Sequence, residues 1–344
     1  MLDNLTSMHE RDTQDALGAV ERQAQQLREP IVVPQLPPTA TSIVVCGTGA
    51  VQVAAEMVRT FPGTNVPIEV VLGELPAYAQ SDTLCIVTDF GNDEAATAGV
   101  LADVKARGLE PVILTHAGLL SDANRYGEQT LVILPHMQTL RFNILLIYRA
   151  LLAILSEAGL LATNEDVLTL LADSETWLAK ATETWSWLIP SSRNAAKALA
   201  YEIISKSVVI SSGQLLTPAT VSWKLALNES AKHIAWTSIF PMASHSELVG
   251  WTGQPVDKPY AIIELRSELD QLWIQKQMEV SERLLSGLRP SSEIVIVQGE
   301  TLLQQLLWAT YLGSYVAVYV ALLNGVNPTP TDIYTKFNAR MESR

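Results

Sequence analysis

"SIVVCGTGAVQVAAEMVRTF", residues 42–61, decides the fold. Ile43 to Cys46 form an unbroken apolar run, Gly47 and Gly49 bracket a turn, and apolar residues then recur at helical spacing. A strand with no polar alternation has both faces buried, the condition of a parallel sheet covered by helices. The same succession repeats outward from this stretch. Further runs are "IEVVLG" (68–73), "TLCIVTD" (83–89), "PVILTH" (111–116) and "TLVILP" (130–135). Helical spacing is expected over 50–61, "DEAATAGVLADVKARG" (93–108) and "AGLLSDANRYG" (117–127). Strands alternating with helices predict a doubly wound domain ending near residue 160.

From Glu165 to Lys206 the pattern is helical, with a break at "LIPSSRN" (188–194), where Pro190 disfavours helix and Asn194 can cap the next one. A second series then runs through "SVVISSG" (207–213), a helix over "TVSWKLALNESAKH" (220–233), "YAIIEL" (260–265), a helix over 271–287 and "SEIVIVQG" (292–299). The expected class is α/β, with two tandem doubly wound, flavodoxin-like domains. Residues 1–160 hold the first with a leading helix; 161–344 hold the second with a helical linker and a C-terminal helix.

The 344 residues are 48% hydrophobic and only 17% charged, which describes a packed globular protein. A net charge of −13 supplies no basic footprint for a phosphate backbone, so nucleic-acid binding is not expected. Both cysteines, Cys46 and Cys85, lie in strand runs and read as buried, reduced thiols. The first residues show no basic segment leading into an apolar one, so the expected location is the cytoplasm. "LLQQLLWATYLGSYVAVYVALLNG", from Leu302, is long enough to raise a membrane question. Its glutamines, tyrosines and lack of flanking basic clusters favour a buried core helix instead.

Two loops at strand carboxyl ends suit a ligand. Gly47, Thr48 and Gly49 join a strand to a helix N-terminus, where free N–H groups favour an anion. Thr88, Gly91, Asn92 and Asp93 repeat the design in "IVTDFGNDEAATAG". The densest polar stretch is "LNESAKHIAWTSIFPMASHSELVGW" (227–251). There Glu229 and His233 are four apart and would share a helix face, whereas only tertiary structure could join Glu229 to His245. No third ligand has metal-binding spacing, so no metal is expected.

"LALNESAKHIAW…PMASHSELVGW" resembles the signature of the bifunctional phosphoglucose/phosphomannose isomerases, which carry two sugar isomerase (SIS) domains. "VPIEVVLGELP", "SSRNAAKALA" and "LGSYVAVYVALLNGVNPTPTDIYTKFNARM" extend the resemblance over nearly the whole chain. It implies two SIS domains and aldose–ketose isomerisation, glucose or mannose 6-phosphate to fructose 6-phosphate, through a cis-enediolate and without metal or cofactor. In that pattern Glu229 falls on the carboxylate that moves the proton between C1 and C2. His245 falls on a histidine that assists ring opening and comes from the neighbouring subunit, which implies a homodimer with the site at the subunit interface. Arg141 falls on an arginine facing the enediolate, and Lys336 on a C-terminal lysine.

The phosphate cup departs from the family pattern. Val51 replaces a serine in the first loop, and Phe90 and Asp93 replace hydroxyl residues in the second, leaving Thr88. Three readings follow: a phosphosugar isomerase with a rearranged cup, a non-catalytic SIS protein that binds a sugar derivative, and an isomerase of a non-phosphorylated sugar.

Overall fold

The computed structural model describes residues 1–36, 40–91, 94–119, 129–137, 139–253 and 259–342. Two short helices open the chain, α1 (Leu5–Arg11) and α2 (Ala16–Glu21). The first sheet is built from β1 (Ser42–Cys46), β2 (Ile68–Val71), β3 (Thr83–Asp89), β4 (Val112–His116) and β5 (Thr130–Leu134). Its helices are α3 (Ala50–Thr60), α4 (Glu94–Ala106) and α5 (Ile144–Glu157). After α6 (Val167–Thr182) and α7 (Ala195–Ile203) come β6 (Ser207–Ser212), α8 (Thr217–Glu229), β7 (Ala235–Ile239), α9 (Ala243–Thr252) and β8 (Tyr260–Arg266). The chain continues through α10 (Leu272–Leu284), β9 (Ser292–Ile296), α11 (Leu302–Leu323) and α12 (Asp332–Glu342).

Two compact units result, Gln23–Glu175 and, as the other, Met1–Arg22 with Thr176–Arg344. In the first, all strands run parallel in the order β2-β1-β3-β4-β5. Its core gathers Val44, Cys46, Cys85, Val87, Val100 and Ile113. β1 and β3 are buried along their whole length, as their unbroken apolar runs require. Both cysteines are free and buried there, as expected. Of the helix expected over 117–127, Ala117–Leu119 form a single 3-10 turn and the rest lies outside the described residues.

The second sheet is also parallel, ordered β7-β6-β8-β9. β7 is a strand that the pattern did not announce. "AWTSI" lies inside the polar stretch, on an edge, and is only partly buried, so it has no continuous apolar run. Nineteen of the twenty-two residues of α11 are buried. It is long and apolar enough to cross a membrane, but it forms the core of this unit, as expected. Its contact with α8 depends on Gly313. A Cβ there would come within 2.5 Å of the Trp223 ring, whose Nε1 donates to the Ala309 carbonyl at 2.7 Å.

The leading helix was expected with the first domain, but it packs in the unit of the second sheet. Lys197, wholly buried on α7, is the reason. Its ammonium donates to the carbonyls of Leu2 (2.7 Å) and Trp187 (3.0 Å) and pairs with Asp3 at 3.2 Å. Arg11 then donates to the Leu322 carbonyl at the end of α11. Asn194 caps α7 by accepting from the Lys197 N–H, as its position after the break predicts.

Candidate active site

In the first unit, a cavity of about 330 Å³ opens at the carboxyl ends of β1 and β3. These are the strands between which the order reverses, where parallel α/β sheets hold ligands. Gly47, Thr48 and Thr88 line it, together with Val51, Phe90 and Leu140. Gly47 is required by space: a Cβ would come within 2.5 Å of Thr88 Oγ1 and 2.6 Å of Val51 Cγ1. Gly49 is required by conformation, since φ is 56° where the chain turns into α3.

The polar groups of this cup are largely engaged with the protein itself. Thr88 Oγ1 donates to the Cys46 carbonyl at 2.8 Å, and the Gly47 N–H goes to the Val71 carbonyl at 3.1 Å. The Val51 N–H goes to the Thr48 carbonyl at 3.1 Å. Asp89, 2% exposed, accepts the Gly91 N–H at 3.0 Å. Behind Phe90 lies His116, whose Nδ1 accepts the Gly118 N–H at 3.1 Å. Burial and then the neighbouring His136 push the His116 pKa down, against the opposing pull of the Phe90 carbonyl and the Asp89 charge. Asn92 and Asp93 lie outside the described residues. Arg141 is buried, immediately after the cavity-lining Leu140.

In the second unit, Glu229 is the last residue of α8 and is half-buried. The groups on either side of it anchor the stretch of chain that carries it. Asn228 Oδ1 accepts the Ala235 N–H at the start of β7 (3.0 Å). The Lys232 ammonium donates to the carbonyls of Ser230 (3.2 Å), Asn327 (3.0 Å) and Pro328 (3.3 Å). The motif lysine thus ties the end of α8 to "GVNPTP". No composition signal announced that tether.

The expected helix face shared by Glu229 and His233 does not form. α8 stops at Glu229, Lys232 adopts φ 51°, and His233 Nε2 is bound to the Lys206 carbonyl at 2.5 Å. Nor does the unit bring Glu229 beside His245. Glu229 lies near the start of β7, while His245 is exposed in the first turn of α9, beyond its end. Five strand residues separate the two by roughly 16 Å along the sheet. Lys336 is exposed on α12. No cluster of three or more metal-ligating side chains exists among the described residues.

One buried group escaped the sequence reading altogether. Asp270, 4% exposed, follows β8 and presses against Gly213, the turn after β6. Neither of its carboxylate oxygens has a well-formed hydrogen bond. Burial, only partly opposed by the Leu215 N–H, pushes its pKa up to about 6. "RSELDQ" reads as an ordinary polar loop, so nothing in its composition singled the residue out.

Residues 192–341 match the family described as the bacterial phospho-glucose isomerase C-terminal SIS domain. A bifunctional phosphoglucose/phosphomannose isomerase from Caldicellulosiruptor bescii is 25% identical over 295 residues, covering 84% of this chain and 86% of that one. Residues 192–341 carry this isomerase domain, and the resemblance to the full-length relative extends over most of the chain. Its relative of the same name in Aquifex aeolicus is 22% identical, with the same coverage of 84% and 86%. The fold agrees: a glucose-6-phosphate isomerase like protein from Thermus thermophilus aligns over 98% of both chains with a TM-score of 0.66 and 18% identity. The second parallel sheet therefore lies in an SIS domain, and the first sheet shares its strand order.

Proposed function

We propose that the protein is an aldose–ketose isomerase that moves a proton between C1 and C2 of a sugar through a cis-enediolate. The observation that carries this reading is the anchored stretch of chain on which Glu229 stands, tied to the start of β7 through Asn228 and to the Asn327 carbonyl through Lys232. Relatives named phosphoglucose/phosphomannose isomerase, spanning 84% of the chain, support it. In this reading Glu229 removes the proton from C2 of the open-chain aldose as the C1 carbonyl becomes an enediolate oxygen. It returns the proton to C1 as the carbonyl re-forms at C2, so no oxidant or reductant is consumed. A carboxylate suits that shuttle, and the Arg141 guanidinium suits the charge that develops on the oxygens. His245 assists opening of the sugar ring, and Lys336 contributes from α12. The family resemblance gives glucose or mannose 6-phosphate as the aldose and fructose 6-phosphate as the ketose.

The spacing of Glu229 and His245 along β7 supports a homodimer in which the partner copy supplies the histidine. The test is solvent exchange. The protein is incubated in heavy water with ketose and aldose sugars, phosphorylated and not, and deuterium at C1 and C2 is followed by proton NMR. Exchange is expected, and Glu229→Gln should slow it by about 10²–10⁴-fold, the usual contribution of a general base. Exchange that persists at full rate in the variant would sink the assignment of Glu229. A second reading, sugar binding without turnover, is favoured by the internally engaged polar groups of the cup and predicts binding with no exchange.

A further inference from the structure

We infer that Glu247 is a positioning residue for ring opening: by holding α9 to β7 it sets where His245 is presented. The inference rests on the isomerase reading in one respect, the part given there to His245.

Residues two apart on an α-helix stand about 200° apart around its axis, so His245 and Glu247 lie on opposite sides of α9. Ala243, Glu247 and Trp251 recur every four residues and line the cavity between α9 and the sheet. Met242, His245 and Val249 share the other face and are exposed. Apolar packing does little to seat this helix. Ala243 is its buried residue, packed with Phe240, Ile274 and Met278. The cavity under it is about 30 Å³, room enough for water. Of the strand residues lining that cavity, Val209 and Ile262 are apolar, but Ser211, Ser238 and Glu264 are polar. Over such a mixed floor a small shift of the helix changes buried apolar area little, so directional bonds set its place.

Glu247 makes the bond to the strand: the Ser238 hydroxyl donates to its Oε2 at 2.5 Å. One turn on, the Trp251 ring meets Tyr260 edge-on with centroids 5.2 Å apart, and the Arg289 guanidinium lies over it at 5.8 Å. Arg289 is itself held by Glu282 at 2.7 Å and Ser292 at 3.1 Å. Nearer His245, the Ser244 hydroxyl serves the Pro241 carbonyl at 2.7 Å and meets Gln277 of α10 only at 3.5 Å. The far end of α9 is thus pinned by large side chains, and the half that carries His245 by the Glu247–Ser238 bond. Ring opening of a pyranose breaks the C1–O5 bond as one proton leaves the C1 hydroxyl and another reaches O5. A histidine that moves either proton must stand within hydrogen-bond reach, and a misplacement of about 1 Å costs such a step as much as about 100-fold.

The test reads ring opening by itself. Each opening lets C1 re-close on either face, so catalysed interconversion of the α and β anomers of glucose 6-phosphate is followed by exchange NMR, with deuterium uptake at C2 measured on the same samples. Glu247→Leu, of similar bulk but with no acceptor, should slow anomerisation by about tenfold while KM changes by less than about twofold. Glu247→Gln keeps a carbonyl oxygen for Ser238 and should recover most of the rate. Ser238→Ala breaks the same bond from the strand side, should match Glu247→Leu, and takes its place if that variant does not fold. The double variant should lose no more than either single one. His245→Ala is the reference. If it slows anomerisation while Glu247→Leu and Ser238→Ala do not, the inference is overturned and the isomerase reading stands. Equal losses in Glu247→Gln and Glu247→Leu would overturn it too, because the charge and not the bond would then matter. If His245→Ala changes nothing, or the unmodified protein does not catalyse anomerisation, the part given to His245 fails and this inference with it, whereas C2 exchange would still support Glu229.

Discussion

Between β1 and β3 the first sheet keeps an open cavity of about 330 Å³, whereas between β6 and β8 the second sheet lodges the carboxylate of Asp270. The two positions correspond, because β2-β1-β3-β4 and β7-β6-β8-β9 are the same strand order. Each is closed on one side by a glycine following the central strand. A Cβ on Gly47 would strike the Thr88 hydroxyl, and one on Gly213 would strike Asp270 Oδ2. A short hydroxyl side chain, drawn down onto the Cys46 carbonyl, leaves space above it. A carboxylate arriving from the β8 loop fills that space. One scaffold thus carries an available switch point and an occupied one, and the choice between them is made by which side chain enters.

That comparison can be broken first at Asp270. Its pKa of about 6 lies above the ordinary value of 3.8, so the ionised carboxylate costs the folded state stability at pH above 6. The cost fades as pH falls toward 3.8, where folded and unfolded chains both hold the proton. Asp270→Asn should therefore stabilise the protein by about 3 kcal/mol at pH 8, and by progressively less between pH 6 and 4. Urea unfolding at a series of pH values measures this. An Asn variant less stable than the parent at pH 8 would mean that the carboxylate makes compensating bonds.

Gly213→Ala comes next, with an expected loss of about 2 kcal/mol from overpacking against Asp270. The loss should shrink in an Asp270→Ala background, because the clashing atoms are then gone. Equal losses in both backgrounds would show that Asp270 does not occupy the turn. The smallest effect belongs to the open side. Thr88→Val removes one hydrogen bond to the Cys46 carbonyl and should cost about 1 kcal/mol of stability, read from the same unfolding curves. A loss above about 3 kcal/mol would make Thr88 a structural residue first and a ligand contact second.

Much of the scaffold was legible in the chain. β1 and β3 could be read as strands because both of their faces are buried, which leaves an unbroken apolar run. α11 could be read as a core helix because its glutamines and tyrosines have partners inside a protein that they lack in lipid; Gln305, for example, accepts the Ser267 hydroxyl and donates to the Gly299 carbonyl. β7 was hidden because an edge strand that is only partly buried need not show such a run. The glycine loop of the cup was visible as strand, turn and helix, but the direction in which Thr88 gives its proton was not.

From the order of residues alone came the class of fold, the two β/α series and the resemblance to the isomerase family. These follow from periodicity and from residue order, which are local properties of the chain. Tertiary structure alone decided that the leading helix belongs with the second sheet, that α8 ends at Glu229, and that Asp270 fills one switch point while the other stays open. Each of these depends on a contact between residues far apart in sequence: Lys197 with Leu2, Lys232 with Asn327, and Asp270 with Gly213. Such contacts leave no period in the chain, because hydrogen bonding and close packing act on distance in space and not on distance along the sequence.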